Sequence, residues 1–110
     1  MKRVLVVEDK EPLFHEYMRI FQAILGKKVE NIEFFHVQTV RGAVEHLEAH
    51  EWDAIIMDYE LGHSHTFEQG EKEITLRNGA DLVRFRRQME NTPGGPKPSQ
   101  IVGFSSHRVG

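Results

Sequence analysis

Three short apolar runs constrain the fold of this chain more than any other feature: VLVV at 4–7, AIIM at 54–57 and IVGF at 101–104. Each is continuous rather than alternating, as strands are when both faces of a parallel sheet are covered. A fourth run, IEFFHV at 32–37, mixes charge into the pattern and is expected at a sheet edge. Helical stripes separate these runs. The first carries Leu13, Phe14, Tyr17, Met18, Phe21, Ile24 and Leu25, with Pro12 in its first turn and Gly26 at its end. Val40, Ala43, Val44 and Leu47 repeat the pattern after Thr39, a candidate N-cap. Leu82, Val83, Phe85 (or Arg86) and Met89 form the third stripe. The order β-α-β-α-β-loop-α-β predicts an α/β fold, a flavodoxin-like, doubly wound parallel sheet with right-handed crossovers.

Two connections stand out. NTPGGPKPSQ at 91–100 holds three of the four prolines and predicts an irregular link. Residues 62–78 are polar and poorly periodic, with a weak signal for a hairpin turning at Gln69-Gly70 and setting Phe67 against Ile74 or Leu76.

Composition narrows the function classes. A net charge of −3 gives no electrostatic reason to bind nucleic acid or an anionic membrane. The absence of cysteine removes disulfides, thiolate catalysis and zinc–thiolate sites. No apolar stretch reaches the length of a signal peptide core or a membrane span. The chain is therefore expected to be cytoplasmic, without nucleic-acid or membrane partners.

The ends of the apolar runs carry the chemistry. The first closes on Glu8 and Asp9, the third on Asp58, and the last on Ser105 and Ser106. Open parallel sheets bind ligands beyond the carboxyl ends of their strands, where the strand order reverses. Setting strands one and three side by side brings three carboxylates together at that edge. Their mutual repulsion calls for a hard divalent cation, and magnesium is held by a few carboxylates with retained waters. Asp58 is then placed to attack phosphorus and form an acyl phosphate, with Ser105 able to donate to a phosphoryl oxygen. The plainer reading of a lone acid here is a turn former or helix cap, which fits Asp9 alone better than the set of three.

VLVVEDKEP, WDAIIMDYEL, GADLVRFRR and IVGFSSH together resemble the receiver domain of two-component response regulators, over nearly the whole chain. The resemblance implies that Glu8, Asp9 and Asp58 hold Mg2+ with the backbone carbonyl of Glu60, and that Asp58 is the phosphoacceptor. It implies that Ser105 is the residue that moves toward the phosphoryl group. The donor would be a histidine kinase, a phosphotransfer protein or a small phosphodonor, and the domain would be a signalling module rather than an enzyme.

Two departures qualify this. The 62–78 segment reads as an insertion into a single 1–110 domain, where the family has a short proline-containing loop. The sequence also stops after the fourth strand, so no lysine follows Ser105 and strand four is expected to be an open edge. A second copy or a partner would then cover it. Two alternatives follow: a pseudo-receiver acting by protein contact without phosphorylation, and a magnesium-dependent phosphohydrolase using Asp58, for which DYE at 58–60 is thin support.

Other residues have plainer expectations. His63 and His65 offer two metal ligands without a third and read as solvated loop residues. His107 reads as part of the chain end, and His15, His36, His46 and His50 show no partner pattern. Arg84, Arg86 and Arg87 read as a solvated helix face. Trp52 is expected to anchor the start of strand three, and Gly103 to mark a close neighbour.

Overall fold

The computed structural model describes residues 1–49 and 51–104. Among the described residues are six strands, β1 (Lys2–Val7), β2 (Ile32–Val37), β3 (Ala54–Asp58), β4 (His65–Gln69), β5 (Lys72–Leu76) and β6 (Gln100–Phe104), and three α-helices, α1 (Glu11–Leu25) after β1, α2 (Val40–Ala49) after β2 and α3 (Gly79–Glu90) after β5. Four strands form a parallel sheet in the order β2-β1-β3-β6, with α1 on one face and α2 and α3 on the other. The doubly wound architecture read from the sequence is the one observed. IEFFHV takes the outer position predicted for it.

Strand alternation sorts the core. Leu5, Val7, Ile55 and Met57 point to one side and pack with Val40, Ala43, Val44, Leu47, Leu82 and Phe85. Helix capping fixes where those helices begin. Thr39 Oγ1 accepts from Gly42 N at 3.0 Å, and Asn78 Oδ1 accepts from Asp81 N at 3.0 Å. Trp52, buried as expected, donates from Nε1 to His46 O at 3.0 Å and meets Phe35 edge-on.

The opposite face is covered by α1 alone among the described residues. Phe14 stacks on His36 and Phe21 on Phe34, while Tyr17 meets Phe104 edge-on. No residue of α1 is fully buried, and Ile24 (74%) and Val102 (58%) are left exposed. Beyond α1 a 3-10 helix, Gly26–Asn31, leads into β2.

Residues 62–78 are more ordered than their polarity suggests. β4 and β5 form an antiparallel hairpin with Phe67 opposite Ile74, one of the two pairings the sequence allowed. The turn falls at Gly70-Glu71, one residue later than expected, because Gly70 takes φ +64° as the first of two central residues. A two-residue hairpin turn with Gly first is favoured because it matches the strand twist.

The arginine reading needs one correction. Arg84 is mostly exposed, but Arg86 is fully buried, because its guanidinium is enclosed between α3, the end of α2 and the link that follows α3. Arg86 binds Glu90 Oε2 (3.0 Å), Leu47 O (2.7 Å) and Ser99 Oγ (3.1 Å), which ties the proline-rich link to the core.

Candidate functional site

β1 and β3 are direct neighbours, with Val7 opposite Met57. That register puts the residues after Val7 beside the end of β3. Glu8, Asp9 and Asp58 each offer a carboxylate oxygen, and these atoms lie within 4.8 Å of one another. It is the one such group of three among the described residues, and His63 and His65 belong to no other.

Each carboxylate has a different environment. Glu8 is fully buried; its Oε2 accepts from Lys10 N (3.2 Å) and its Oε1 from the Tyr17 hydroxyl (3.3 Å). Asp58 is also fully buried, and its Oδ1 accepts from Glu60 N at 2.9 Å. Asp9 Oδ1 is buried with no hydrogen-bond partner. Asp9 does not cap α1, whose N-cap is Lys10 without a side-chain bond, so the helix-cap reading fails. An anionic oxygen without a donor is costly to bury, and a cation removes that cost. The residues present therefore suit a hard divalent metal: oxygen ligands only, one without another partner.

Burial, then the neighbouring Asp58, push the Glu8 carboxyl up to about 7. Tyr17 is pushed up to about 12 by burial and by Glu8, so its hydroxyl stays protonated as the donor in this pair. Below about 4.5 Glu8 is protonated in both folded and unfolded chains. Between 4.5 and about 7 the folded form holds more protons, so stability falls as pH rises through that window. Thermal melts in chelator are expected to lose about 2 kcal/mol between pH 5 and pH 8. Glu8→Gln should flatten that profile; an equally steep profile in the variant would place the titrating group elsewhere.

Sequence reasoning missed two residues here. Tyr17 reads as one more member of an apolar stripe, and its hydroxyl reaches Glu8 only through the packing of α1. His36 Nε2 donates to Glu8 O at 2.8 Å, joining β2 to the site across the sheet. A tyrosine two turns into the helix after an acidic pair is the available signal for the first; none exists for the second.

The remaining expectations divide as follows. Glu60 reaches the site through its backbone N–H, and Gly103 has the close neighbour expected of it, since a Cβ there would lie 1.9 Å from Tyr59 Oη. His63 lines a cavity of about 350 Å³ with Asp9, Gln38, Thr39 and Gly62, whereas His65 stacks on Phe67 in β4. Lys97 lines a cleft with Arg3, Trp52 and Asp53 at the opposite ends of the strands. Ser105, the expected partner of the phosphoryl group, lies outside the described residues, as do His50 and His107.

Solved structures of response-regulator receiver domains share this fold. MaeR response regulator bound to beryllium trifluoride superposes with a TM-score of 0.62 at 16% identity, covering 98% of this chain and 70% of that one. A CheY-like response regulator receiver domain from Methylobacillus flagellatus gives 0.63 at 20% identity, covering 97% and 71%. TrrA from Thermotoga maritima, in complex with Mg2+ and beryllium fluoride, gives 0.58 at 19%, covering 97% and 71%. No protein-family model matches the sequence, and no curated protein matches it significantly. The chain has the receiver fold. No helix among the described residues is long and apolar enough to cross a membrane.

Proposed function

We propose that this chain is a phosphorelay receiver domain that accepts a phosphoryl group on Asp58. The observation that carries the reading is the convergence of Glu8, Asp9 and Asp58, with Asp9 Oδ1 buried and unpartnered, at the carboxyl edge of the sheet. An Asp58 carboxylate oxygen attacks phosphorus of a phosphohistidine on a histidine kinase or phosphotransfer protein, or of a small phosphodonor. The P–O bond forms as the bond to the donor breaks, and the leaving imidazole takes up a proton. Glu8, Asp9, Asp58 and the Glu60 carbonyl would hold Mg2+, which when bound neutralises the carboxylates and the charge on the phosphoryl oxygens. Ser105 follows Phe104, the register partner of Asp58, and would donate to the transferred group.

On this reading 1–110 is one domain, with 62–78 an insertion, acting in the cytoplasm as a signalling module rather than an enzyme. A partner or second copy would cover β6. One observation favours the pseudo-receiver instead: Asp58 is fully buried, so phosphorus reaches it only if the residues covering it move.

The test is intact mass after incubation with Mg2+ and acetyl phosphate, beside Asp58→Asn. Gain of one phosphoryl group, absent in the variant, is the expected result. No gain in folded protein that binds Mg2+ would leave the pseudo-receiver.

A further inference from the structure

In the apolar stripe of α1, Tyr17 alone carries a polar oxygen. Its ring meets Phe104 edge-on at 5.1 Å, a contact that phenylalanine would make equally well. The hydroxyl adds nothing to that packing; it reaches Glu8 Oε1 at 3.3 Å instead. Phe104 is the register partner of Asp58, so the ring is seated against the strand beside the acidic group independently of its hydrogen bond.

Glu8 needs such an anchor. When ionised it is repelled by Asp9 and Asp58, and its side chain has rotations that would carry the carboxylate away from them. Among the described residues, two donors from outside the acidic group oppose this, on different oxygens: Lys10 N–H at Oε2 (3.2 Å) and the Tyr17 hydroxyl at Oε1 (3.3 Å). Lys10, two residues along the chain, holds one point. The second point fixes the plane of the carboxylate, and without it Glu8 pivots about the first. Cations differ in what they require of that plane. Mg2+ demands near-ideal octahedral geometry at short distances, whereas Ca2+ accepts irregular and bidentate carboxylates.

We infer that Tyr17 is a positioning residue of the cation site, whose hydroxyl fixes the Glu8 carboxylate and thereby favours Mg2+ over Ca2+. This rests on the cation half of the proposed function and not on phosphoryl transfer.

Titration calorimetry with Mg2+ and with Ca2+ on wild type, Tyr17→Phe and Phe21→Leu tests it. Tyr17→Phe keeps the ring and should lose about tenfold in Mg2+ affinity, the usual effect of removing a group that orients a metal ligand. Ca2+ affinity should change by less than about twofold, so the preference for Mg2+ falls about fivefold or more. Phe21→Leu trims α1 packing one turn further on, where Phe21 stacks on Phe34 of β2, and should leave the preference as in wild type. Thermal melts establish that each variant is folded. An unchanged preference in Tyr17→Phe, or an equal loss of it in Phe21→Leu, overturns the assignment while leaving the cation site standing. A wild type that binds no Mg2+ overturns the cation site with it.

Discussion

Replacing Arg86 with alanine is expected to destabilise the fold by about 3–5 kcal/mol, the cost of breaking a buried ion pair by removing one partner. Arg86 is fully buried, and the Glu90 side chain it binds is almost so. Burial works against the Glu90 charge, but Ser99 N–H, Arg87 and Arg86 outweigh it and hold the carboxyl below the usual range. Alanine would leave Leu47 O and Ser99 Oγ without their guanidinium donor, and the link would keep only the Ser99 N–H bond to Glu90 at the end of α3. Arg86→Met fills most of the volume without the charge and is expected to recover only part of the loss. Urea unfolding of the three proteins checks this; a variant within about 1 kcal/mol of wild type would mean that Glu90 is satisfied by Arg87 and Ser99 alone. The pH dependence has a definite sign. Because the folded Glu90 carboxyl titrates below its unfolded value of 4.5, its contribution is present above 4.5 and is lost as pH falls through the lowered value.

The same residue shows where sequence reading reaches its limit. A helix stripe assigns one buried face, and by that logic Phe85 or Arg86 goes inward, not both. Both are buried because the hairpin covers Phe85 through Phe67, while the end of α2 and the link after α3 enclose Arg86. No local pattern announces the hairpin's surface, since residues 62–78 are polar and only Phe67, Ile74 and Leu76 anchor them to the core. The acidic cluster, in contrast, is legible because each acid closes an apolar run, and the register of a parallel sheet aligns such closures. Glu8, Asp9 and Asp58 needed only the adjacency of β1 and β3 to meet. Tyr17 and His36 reach Glu8 from α1 and β2, and their part depends on packing distances that spacing along the chain does not encode. The hairpin's turn shows the same division. Gly70 marks the turn in the sequence, but whether it takes the first or second central position depends on which strand residues pair.

Gly79→Ala is expected to damage both fold and site. A Cβ at position 79 would lie 2.1 Å from Asp58 O and 2.8 Å from both Asp58 C and Tyr59 Cα. All three are backbone atoms, so no side chain can turn aside, and α3 must move away from the end of β3. The cost is steric and should reach about 3 kcal/mol or more. The displaced backbone is that of Asp58 itself, whose carboxylate is aligned within the acidic group of three. Divalent-cation affinity should therefore fall about tenfold as well, equivalent to about 1.4 kcal/mol. Gly95→Ala separates the two effects. Its Cβ would lie 2.0 Å from Met89 O, an equal insult placed in the link after α3 and without contact to the carboxylates. It should lose comparable stability while binding Mg2+ as wild type does, measured calorimetrically at a temperature where both variants are folded. If Gly95→Ala loses affinity equally, the site responds to global stability rather than to the approach of α3. If Gly79→Ala keeps full affinity, Asp58 holds its place without that approach. The expected split would make the first residue of α3 part of what aligns the proposed phosphoacceptor, through a contact that only a glycine permits.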